Sequence, residues 1–430
     1  MELIVDLHLH SHYSRATSPN MNLESIYSWG KIKGINIIGT GDFTHPSWFL
    51  EIEQKLEPAE PGLFKLKEKY SKNLDKNLPE SIRNNLMRFI LTVEISNIYK
   101  RHDKVRRVHN VVVVPSLKAA SFINAKLDTI GNLKSDGRPI LGLDSEDLLK
   151  ITLESSEESM FIPAHIWTPW FAMFGSKSGF DSVEEAFGKN AKYIKAVETG
   201  LSSDPFMNWR LSQLDRFTLV SNSDAHSARK LGREASILNC DLSYSQIADA
   251  INTGDERFVG TIEFFPQEGK YHYSGHSKCG VVMSPEESAE VNHKCPKCGK
   301  ELVLGVDHRI SELADRPHDF RPNKHKRVDY IVPLAEILAE VNSVKSSTAK
   351  TVESKFNQLI AALGDEFSIL RNSNIKKIAQ AGNQKTAEAI SKMRNQDVYI
   401  EPGYDGVYGV VKIFKPGQHV QSDKQMSLLS

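Results

Sequence analysis

The 430-residue chain contains no apolar run approaching the ~20 residues that a membrane-spanning helix requires, so no membrane partner is expected. It has only four cysteines, too few for a disulfide framework in a chain of this size; three of them, Cys279, Cys295 and Cys298, crowd together beside histidines, while Cys240 stands alone and is expected to be buried. There is no net charge, with 54 basic residues against 54 acidic ones, which argues against coating nucleic acid by bulk electrostatics. Charge must therefore be read locally. No basic segment followed by a long apolar stretch opens the chain, since Glu2-Leu3-Ile4-Val5 enters a strand at once; the expected location is cytoplasmic. Internal repeats and low-complexity segments are also missing. With 40% hydrophobic and 25% charged residues, an ordinary globular protein of one large domain and one or two smaller ones is expected.

From residue 1 to 262, short β-branched runs such as Ile35-Asn36-Ile37-Ile38, Val111 to Val114 and Met160-Phe161-Ile162 alternate with amphipathic stretches. That alternation predicts an α/β fold of β/α units with a parallel sheet or barrel. Polar segments 55–88 and 172–192 read as surface helices inserted around it. Residues 263–305 break the pattern with Gly, Tyr, His and Cys. An Arg- and Pro-rich linker (Arg316, Pro317, Arg321, Pro322) leads to a small helical domain within 306–415, in which Leu334, Ile337, Leu338 and Val341 share one face. Pro402-Gly403-Tyr404-Asp405-Gly406 supplies turn residues ahead of a closing strand at 409–414, and 416–430 reads as a flexible tail.

Asp6-Leu7-His8-Leu9-His10 places two histidines at i and i+2, reading as the start of a strand whose one face offers two imidazoles to one cation. Asp42, His45, Glu94, His109, His165, Glu198, Asp224 and His226 all fall at or beside ends of expected strands, where barrel enzymes assemble their sites. Singly, His109 fits a satisfied core position as well, and Glu198 a supporting or salt-bridging one. Together, imidazoles and carboxylates without cysteine suit zinc, manganese or iron, in two or three ions, and the natural chemistry is hydrolysis of a phosphate ester.

His276-x-x-Cys279 and Cys295-x-x-Cys298 have the spacing of one structural tetrahedral zinc, with His272 and His293 as alternates for the histidine. Lys100, Arg101, Lys104, Arg106 and Arg107 precede the His109 strand and read as a positive loop that draws in a phosphate backbone, or as a solvated surface loop. Trp167, Trp170 and Phe171, followed by Ser176 and Lys177, suit stacking on an extruded base and contacting its phosphates; the same run also reads as an insertion packed onto the sheet.

DLHLHSHYS, GTGDFTH, TVEIS, PAHIW, VETG and SNSDAH resemble the ordered motifs of the PHP (polymerase and histidinol phosphatase) metallohydrolases. The resemblance implies a distorted (β/α)7 barrel with a catalytic metal site. His8, His10, Glu94 and Asp224 would hold one ion, Glu94, His109 and His165 a second, and His226 a third, with His8, Glu94, Asp224 and His226 carrying the chemistry. Asp42, His45 or both would complete the third site. Two departures bear on it: Gly41-Asp42-Phe43-Thr44-His45 replaces the usual Thr-Asp-His, and Ser14-Arg15-Ala16-Thr17 stands where a further ligand is expected. The ions implied are zinc, with magnesium or manganese able to serve.

The HxxC and CxxC pair, Gly305-Val306-Asp307-His308-Arg309, Leu313-Ala314-Asp315-Arg316-Pro317 and the closing PGYDGVYG extend the resemblance, over nearly the whole chain, to the endonuclease Q family within that superfamily. It implies a nucleoid-associated enzyme acting on double-stranded DNA with a deaminated base (uracil, hypoxanthine or xanthine) or an abasic site, cut on the 5′ side to leave a 3′-hydroxyl. The competing readings are a small-molecule phosphoesterase of the histidinol phosphatase kind and a non-catalytic DNA-binding scaffold. The terminal Gln425-Met426-Ser427-Leu428-Leu429 resembles a sliding-clamp peptide.

Overall fold

The computed structural model describes residues 1–415, so the clamp-like peptide Gln425–Leu429 lies outside the described residues. The β-branched runs form strands β1 Glu2–Asp6, β2 Ile37–Gly39, β3 Leu56–Pro58, β4 Phe64–Leu66, β5 Arg88–Arg101, β6 Lys104–Val114, β7 Ile140–Leu141, β8 Met160–Pro163, β9 Ala196–Glu198, β10 Thr218–Val220, β11 Ala235–Asn239 and β12 Phe258–Glu263. β1 pairs in parallel with β2, and β2 with β5, through βα crossovers. β9 and β10 form a separate parallel pair whose edge meets the end of β8, where Ile166 N donates to Glu198 O at 3.1 Å.

The arrangement is mixed rather than parallel throughout. β5 and β6 form a long antiparallel hairpin, β6 pairs antiparallel with β8, and β11 antiparallel with both β1 and β12. The reason for the first lies in the connection. Only His102 and Asp103 separate β5 from β6, both at positive φ (52° and 57°), and a two-residue turn of that hand closes a hairpin, whereas a parallel return needs a dozen residues or more. The basic run expected as a loop is therefore strand: Lys100 and Arg101 end β5, and Lys104, Arg106 and Arg107 begin β6.

Side chains alternate between the sheet faces. Leu3, Val5, Ile37, Ile90, Val111, Val113 and Ile162 pack on one side with Tyr244, Ile247 and Ile251 of the helix Tyr244–Thr253; Ile4, Ile38, Phe89, Leu91, Val112 and Val114 pack on the other with Leu23 and Ile26 of the helix Leu23–Lys33. Each fully buried side chain of this kind stabilises the fold by about 1.5–3 kcal/mol, so the sheet does not depend on the polar residues at its ends.

The two polar segments differ from the expected surface helices. Residues 56–66 are the β3–β4 hairpin at the sheet edge, with helices only at Glu68–Asn77 and Glu80–Arg83. In 172–192 the first ten residues are a compact coil whose Ala172, Met173, Phe174 and Phe180 are buried. Local bonds such as Phe180 N to Met173 O (2.7 Å) and Gly179 N to Gly175 O (2.8 Å) satisfy its backbone, which lets it fold inward without helix.

Beyond β12, β13 Ser274–His276 and β14 Val281–Met283 form a hairpin, and β15 Arg327–Tyr330 returns to pair in parallel with β12. At that seam a Cβ on Gly260 would lie 2.1 Å from Arg327 O, so only glycine allows the approach. Helices Leu334–Val341, Lys350–Leu363, Ile375–Ala381 and Gln384–Arg394 follow, and Leu334, Ile337, Leu338 and Val341 are buried on one face as the spacing predicts. β16 Tyr399–Glu401 and β17 Val410–Lys412 pair antiparallel as the closing β element. No helix among the described residues is long and apolar enough to cross a membrane.

Candidate metal centre

β1 stops at Asp6, and the two histidines of the HxH follow the strand rather than opening it. Asp6 accepts from the amides of Ser223 and Gly232, both at 3.0 Å, and Leu7 N donates to Asn222 Oδ1 at 2.8 Å. His10 N donates to Ala225 O at 3.0 Å. These bonds lay the His8–His10 segment alongside Asp224–His226.

Each of the two imidazoles is oriented from behind by a carboxylate. His8 Nδ1 donates to Glu198 Oε2 at 3.0 Å, and Glu198 also accepts from His165 N and Asn222 Nδ2, both at 2.8 Å. His10 Nδ1 donates to Asp42 Oδ1 at 3.2 Å, while Asp42 Oδ2 accepts from Ser11 N (2.7 Å), Ser11 Oγ (2.6 Å) and Ser14 Oγ (2.8 Å). Burial opposes the charge of Asp42, but these donors outweigh it and hold its carboxyl below the ordinary range. Such pairing fixes the tautomer and leaves Nε2 of each histidine as the donor atom for a cation.

Those Nε2 atoms converge with two carboxylates. His10 Nε2 lies 3.2 Å from Glu94 Oε2 and 3.1 Å from Asp224 Oδ1, and His8 Nε2, buried and without a hydrogen-bond partner among the described residues, lies 3.4 Å from Glu94 Oε2. The other oxygen of Glu94 faces a second group: Oε1 is 2.7 Å from His109 Nδ1 and 3.0 Å from His165 Nε2, and those two nitrogens are 3.2 Å apart. Glu94 thus faces both groups, one oxygen to each. In each group the ligand atoms lie within 4.8 Å of one another.

The electrostatics favour positive charge at this point. Burial works against the charged forms of all four residues of the first group, yet Glu198, Glu94 and Asp224 push His8 up, carboxylates do the same for His10, His109 and Arg138 with the other histidines hold Glu94 well below the carboxylate range, and His8 and His10 do so for Asp224. Burial lowers His109 to about 4, which keeps its ring neutral as a ligand must be. The orphaned Nε2, the facing lone pairs and the mixed nitrogen and oxygen donors fit divalent cations. Asp42, His165 and Asp224 all sit at positive φ (48°, 29° and 46°), a conformation costing about 1–3 kcal/mol at a non-glycine residue and typical of functional sites.

Around Glu94, among the described residues, the geometry gathers two ligand groups, and Asp42, His45 and His226 belong to neither. Both oxygens of Asp42 are taken by protein donors. His45 stands at the head of the helix Pro46–Lys55 with its ring stacked on Tyr13, and His226 Nδ1 donates to Asp224 O at 2.9 Å with its ring 4.6 Å from that of His10. Sequence reasoning missed Arg138, whose Nη1 donates to Glu94 Oε2 at 3.0 Å, and Arg233, which braces the carbonyls of Ser223 and Asp224. Neither carries a motif.

His276, Cys279, Cys295 and Cys298 also converge within 4.8 Å, whereas His272 and His293 stay outside the set. The β13–β14 hairpin supplies the first pair, and a turn with Gly299 at φ 74° supplies the second. Buried apolar residues here amount to Val281, Cys295 and Leu302, a core too small to hold the segment unaided, as suits a metal-clipped module.

The residues read as nucleic-acid contacts divide. Arg101 pairs with Asp144 (3.2 Å) and Glu146 (2.8 Å) and donates to Ala186 O. Arg106, 7% exposed, lies over the Phe180 ring and donates to Gly179 O. Trp167 is fully buried, its indole N–H on Asn208 Oδ1 at 2.8 Å. The contacts of these three side chains are made within the fold, Trp167 and Arg106 buried and Arg101 partly exposed. Lys104, Arg107, Ser176, Lys177 and Trp170 are exposed, and Phe171 is half-buried 4.8 Å from the His109 ring. Lys104, Ser176, Lys177 and Arg309 line one groove of about 660 Å³.

Residues 333–397 match the family described as the MJ0043 C-terminal domain. The protein MJ0043 of Methanocaldococcus jannaschii is 32% identical over 292 residues, covering 64% of this chain but 35% of that protein, so the match spans about a third of its length. YqxK of Bacillus subtilis is 29% identical over 88% of this chain and 89% of its own. The crystal structure of the lesion-specific endonuclease PfuEndoQ from Pyrococcus furiosus superimposes with a TM-score of 0.82 at 31% identity, covering 96% of this chain and 95% of that one. An endonuclease Q complex with a 27-mer duplex carrying an abasic lesion at its active site gives 0.81 at 31% identity, with 96% and 97% covered. By likeness along almost its entire length, the chain belongs to the endonuclease Q family.

Proposed function

We propose that this protein is a metal-dependent endodeoxyribonuclease that hydrolyses the phosphodiester 5′ of a deaminated base (uracil, hypoxanthine or xanthine) or an abasic site in duplex DNA, leaving a 3′-hydroxyl. The observation that carries the reading is Glu94, whose two oxygens each face a separate histidine-containing ligand group. His8, His10, Glu94 and Asp224 would hold one ion, and Glu94, His109 and His165 another. Such ions, zinc in this reading with magnesium or manganese able to substitute, polarise a phosphoryl oxygen and lower the pKa of water. A further zinc on His276, Cys279, Cys295 and Cys298 is structural. The β1–β12 region would close as a distorted (β/α)7 barrel over residues 1–262, with the zinc module at 263–305 and the helical part at 306–415.

The chain's own residues bind and orient. Lys104, Arg107 and Lys177 offer exposed positive charge to the phosphate backbone, and the exposed Trp170 and the half-buried Phe171, which lies beside His109, offer aromatic faces. Extruding a nucleotide costs a few kcal/mol and least at damaged pairs, which favours lesions before any base is read.

End-labelled duplexes carrying uracil, hypoxanthine, an abasic analogue or no lesion, incubated with the wild type and Asp224→Asn under zinc, magnesium and manganese, test this. A lesion-dependent nick 5′ of the altered base, lost in the variant, is expected. No nick under any metal would overturn the reading, and turnover of histidinol phosphate instead would point to a small-molecule phosphoesterase.

A further inference from the structure

Arg138 lies outside every motif, in the polar segment between the helix Leu117–Asp128 and β7, yet its guanidinium reaches the centre of the site. The register explains how. β7 pairs in parallel with β5, Ser96 opposite Ile140, and Ser96 N donates to Pro139 O at 3.0 Å. Two residues back along both strands, Arg138 falls beside Glu94. The segment is braced on the side away from β5: Gly137 N donates to Tyr13 O (3.1 Å), Arg138 N to Asp136 Oδ1 (3.1 Å), and Arg15 pairs with Asp136. A Cβ on Gly137 would stand 2.2 Å from Asp42 Oδ2 and 2.5 Å from Ser14 Oγ, so only glycine lets the backbone pass this close to the carboxylate that orients His10. Arg138 is held in place before any substrate arrives.

Its hydrogen bonding is incomplete. A guanidinium has five N–H donors, and among the described residues its single protein bond runs from Nη1 to Glu94 Oε2, with 26% of the side chain open to solvent. Glu94 Oε2 belongs to the first ligand group, where a divalent ion would draw on the same oxygen. That competition would weaken the hold of Glu94 on Arg138 and leave the fork to meet an anion at the centre. Planar guanidinium matches phosphate oxygens bidentately, and an ammonium does not.

We propose that Arg138 is a catalytic residue that donates to the non-bridging oxygens of the scissile phosphate. The inference rests on the phosphodiesterase reading above. Its test uses zinc-loaded protein as wild type, Arg138→Lys and Arg138→Met, with zinc content, inorganic phosphate affinity by calorimetry and steady-state nicking of a duplex with one abasic analogue. Arg138→Met is expected to keep its zinc and melting temperature, to bind inorganic phosphate at least ten-fold more weakly, and to lose about 10²–10³-fold in kcat with a smaller change in KM. Arg138→Lys should recover part of the phosphate affinity and little of the kcat. Unchanged phosphate affinity and kcat in Arg138→Met would overturn the proposal. So would a loss of zinc whose replacement restores kcat, because Arg138 would then only balance the ligand carboxylates. Should the wild type nick no lesion at all, the functional reading falls, while phosphate affinity still decides whether Arg138 grips phosphate.

Discussion

Nδ1 of His8 lies 3.0 Å from Oε2 of Glu198, and this bond turns Nε2 of the same ring toward Glu94 and Asp224. All the acceptor capacity that Glu198 shows is spent on protein donors: His8, His165 N and Asn222. It acts through His8. Glu198→Gln should therefore weaken metal binding by about 10- to 100-fold without removing a ligand. Zinc titration followed by nicking should show an activity curve displaced to higher zinc with a near-normal plateau. A plateau as low as that of Asp224→Asn would instead make Glu198 a ligand.

The two tryptophans after His165 should separate cleanly. Trp167 is fully buried against Phe174 with its indole bonded to Asn208, so Trp167→Ala should destabilise the protein by about 3–5 kcal/mol. Trp170 is 40% exposed, edge-on to Tyr271. Trp170→Ala should leave the melting temperature near wild type and weaken lesion-duplex affinity by about 1–3 kcal/mol, the worth of one stacked base. Melting curves and fluorescence anisotropy on an abasic duplex check both; equal DNA affinity with and without Trp170 would remove it from the interface.

These two residues also show what the sequence could and could not say. His8, His10, His165 and Asp224 were legible because each stands a few residues past a strand end, and such ends gather at one place; Glu94 and His109, read as strand-end residues, lie instead within the long strands β5 and β6. Whether a cation or an aromatic ring is free depends on partners far along the chain. Arg101 is claimed by Asp144 and Glu146, Arg106 by Phe180 and Gly179, and Trp167 by Asn208. Arg138 was invisible for the converse reason. Its place at the site comes from the pairing of β7 with β5, and β7 is two residues long with no periodicity to read. What the sequence did not reveal at Asp42 is its set of protein partners: one oxygen faces His10 and the other accepts from Ser11 and Ser14.

Cys295→Ser should lower bound zinc by one ion and reduce the melting temperature while the ions at the Glu94 centre stay in place. The module around β13 and β14 has almost no core of its own, so an ion held there would supply much of its folding energy. Elemental analysis beside a melting curve gives both numbers. Unchanged zinc content in the variant would remove Cys295 from the ligand set.

The last prediction concerns a buried carboxyl pair that no ion or arginine neutralises fully. Glu234 and Glu263 are 1% and 0% exposed, and each has one carboxyl oxygen without a partner. Burial pushes Glu263 up to about 8 although Ser221 donates to it, and burial together with the charge of Glu263 pushes Glu234 well above its ordinary range. At neutral pH the folded protein therefore holds protons here that the unfolded chain releases from about pH 4.5 upward. Because the folded state binds more protons, stability falls as pH rises from about 4.5 to 8, by up to about 1.4 kcal/mol per pH unit for one such group, and levels off above. Glu263→Gln removes a titrating group and lifts the charge repulsion on Glu234. Its melting temperature relative to wild type should be highest near pH 8.5 and fall steadily toward pH 5, where both proteins carry the pair uncharged. The comparison is made at saturating zinc so that metal loss at low pH affects both alike. A difference between the two proteins that stays constant from pH 5 to 8.5 would mean that Glu263 is ionised throughout, held by a partner inside the fold.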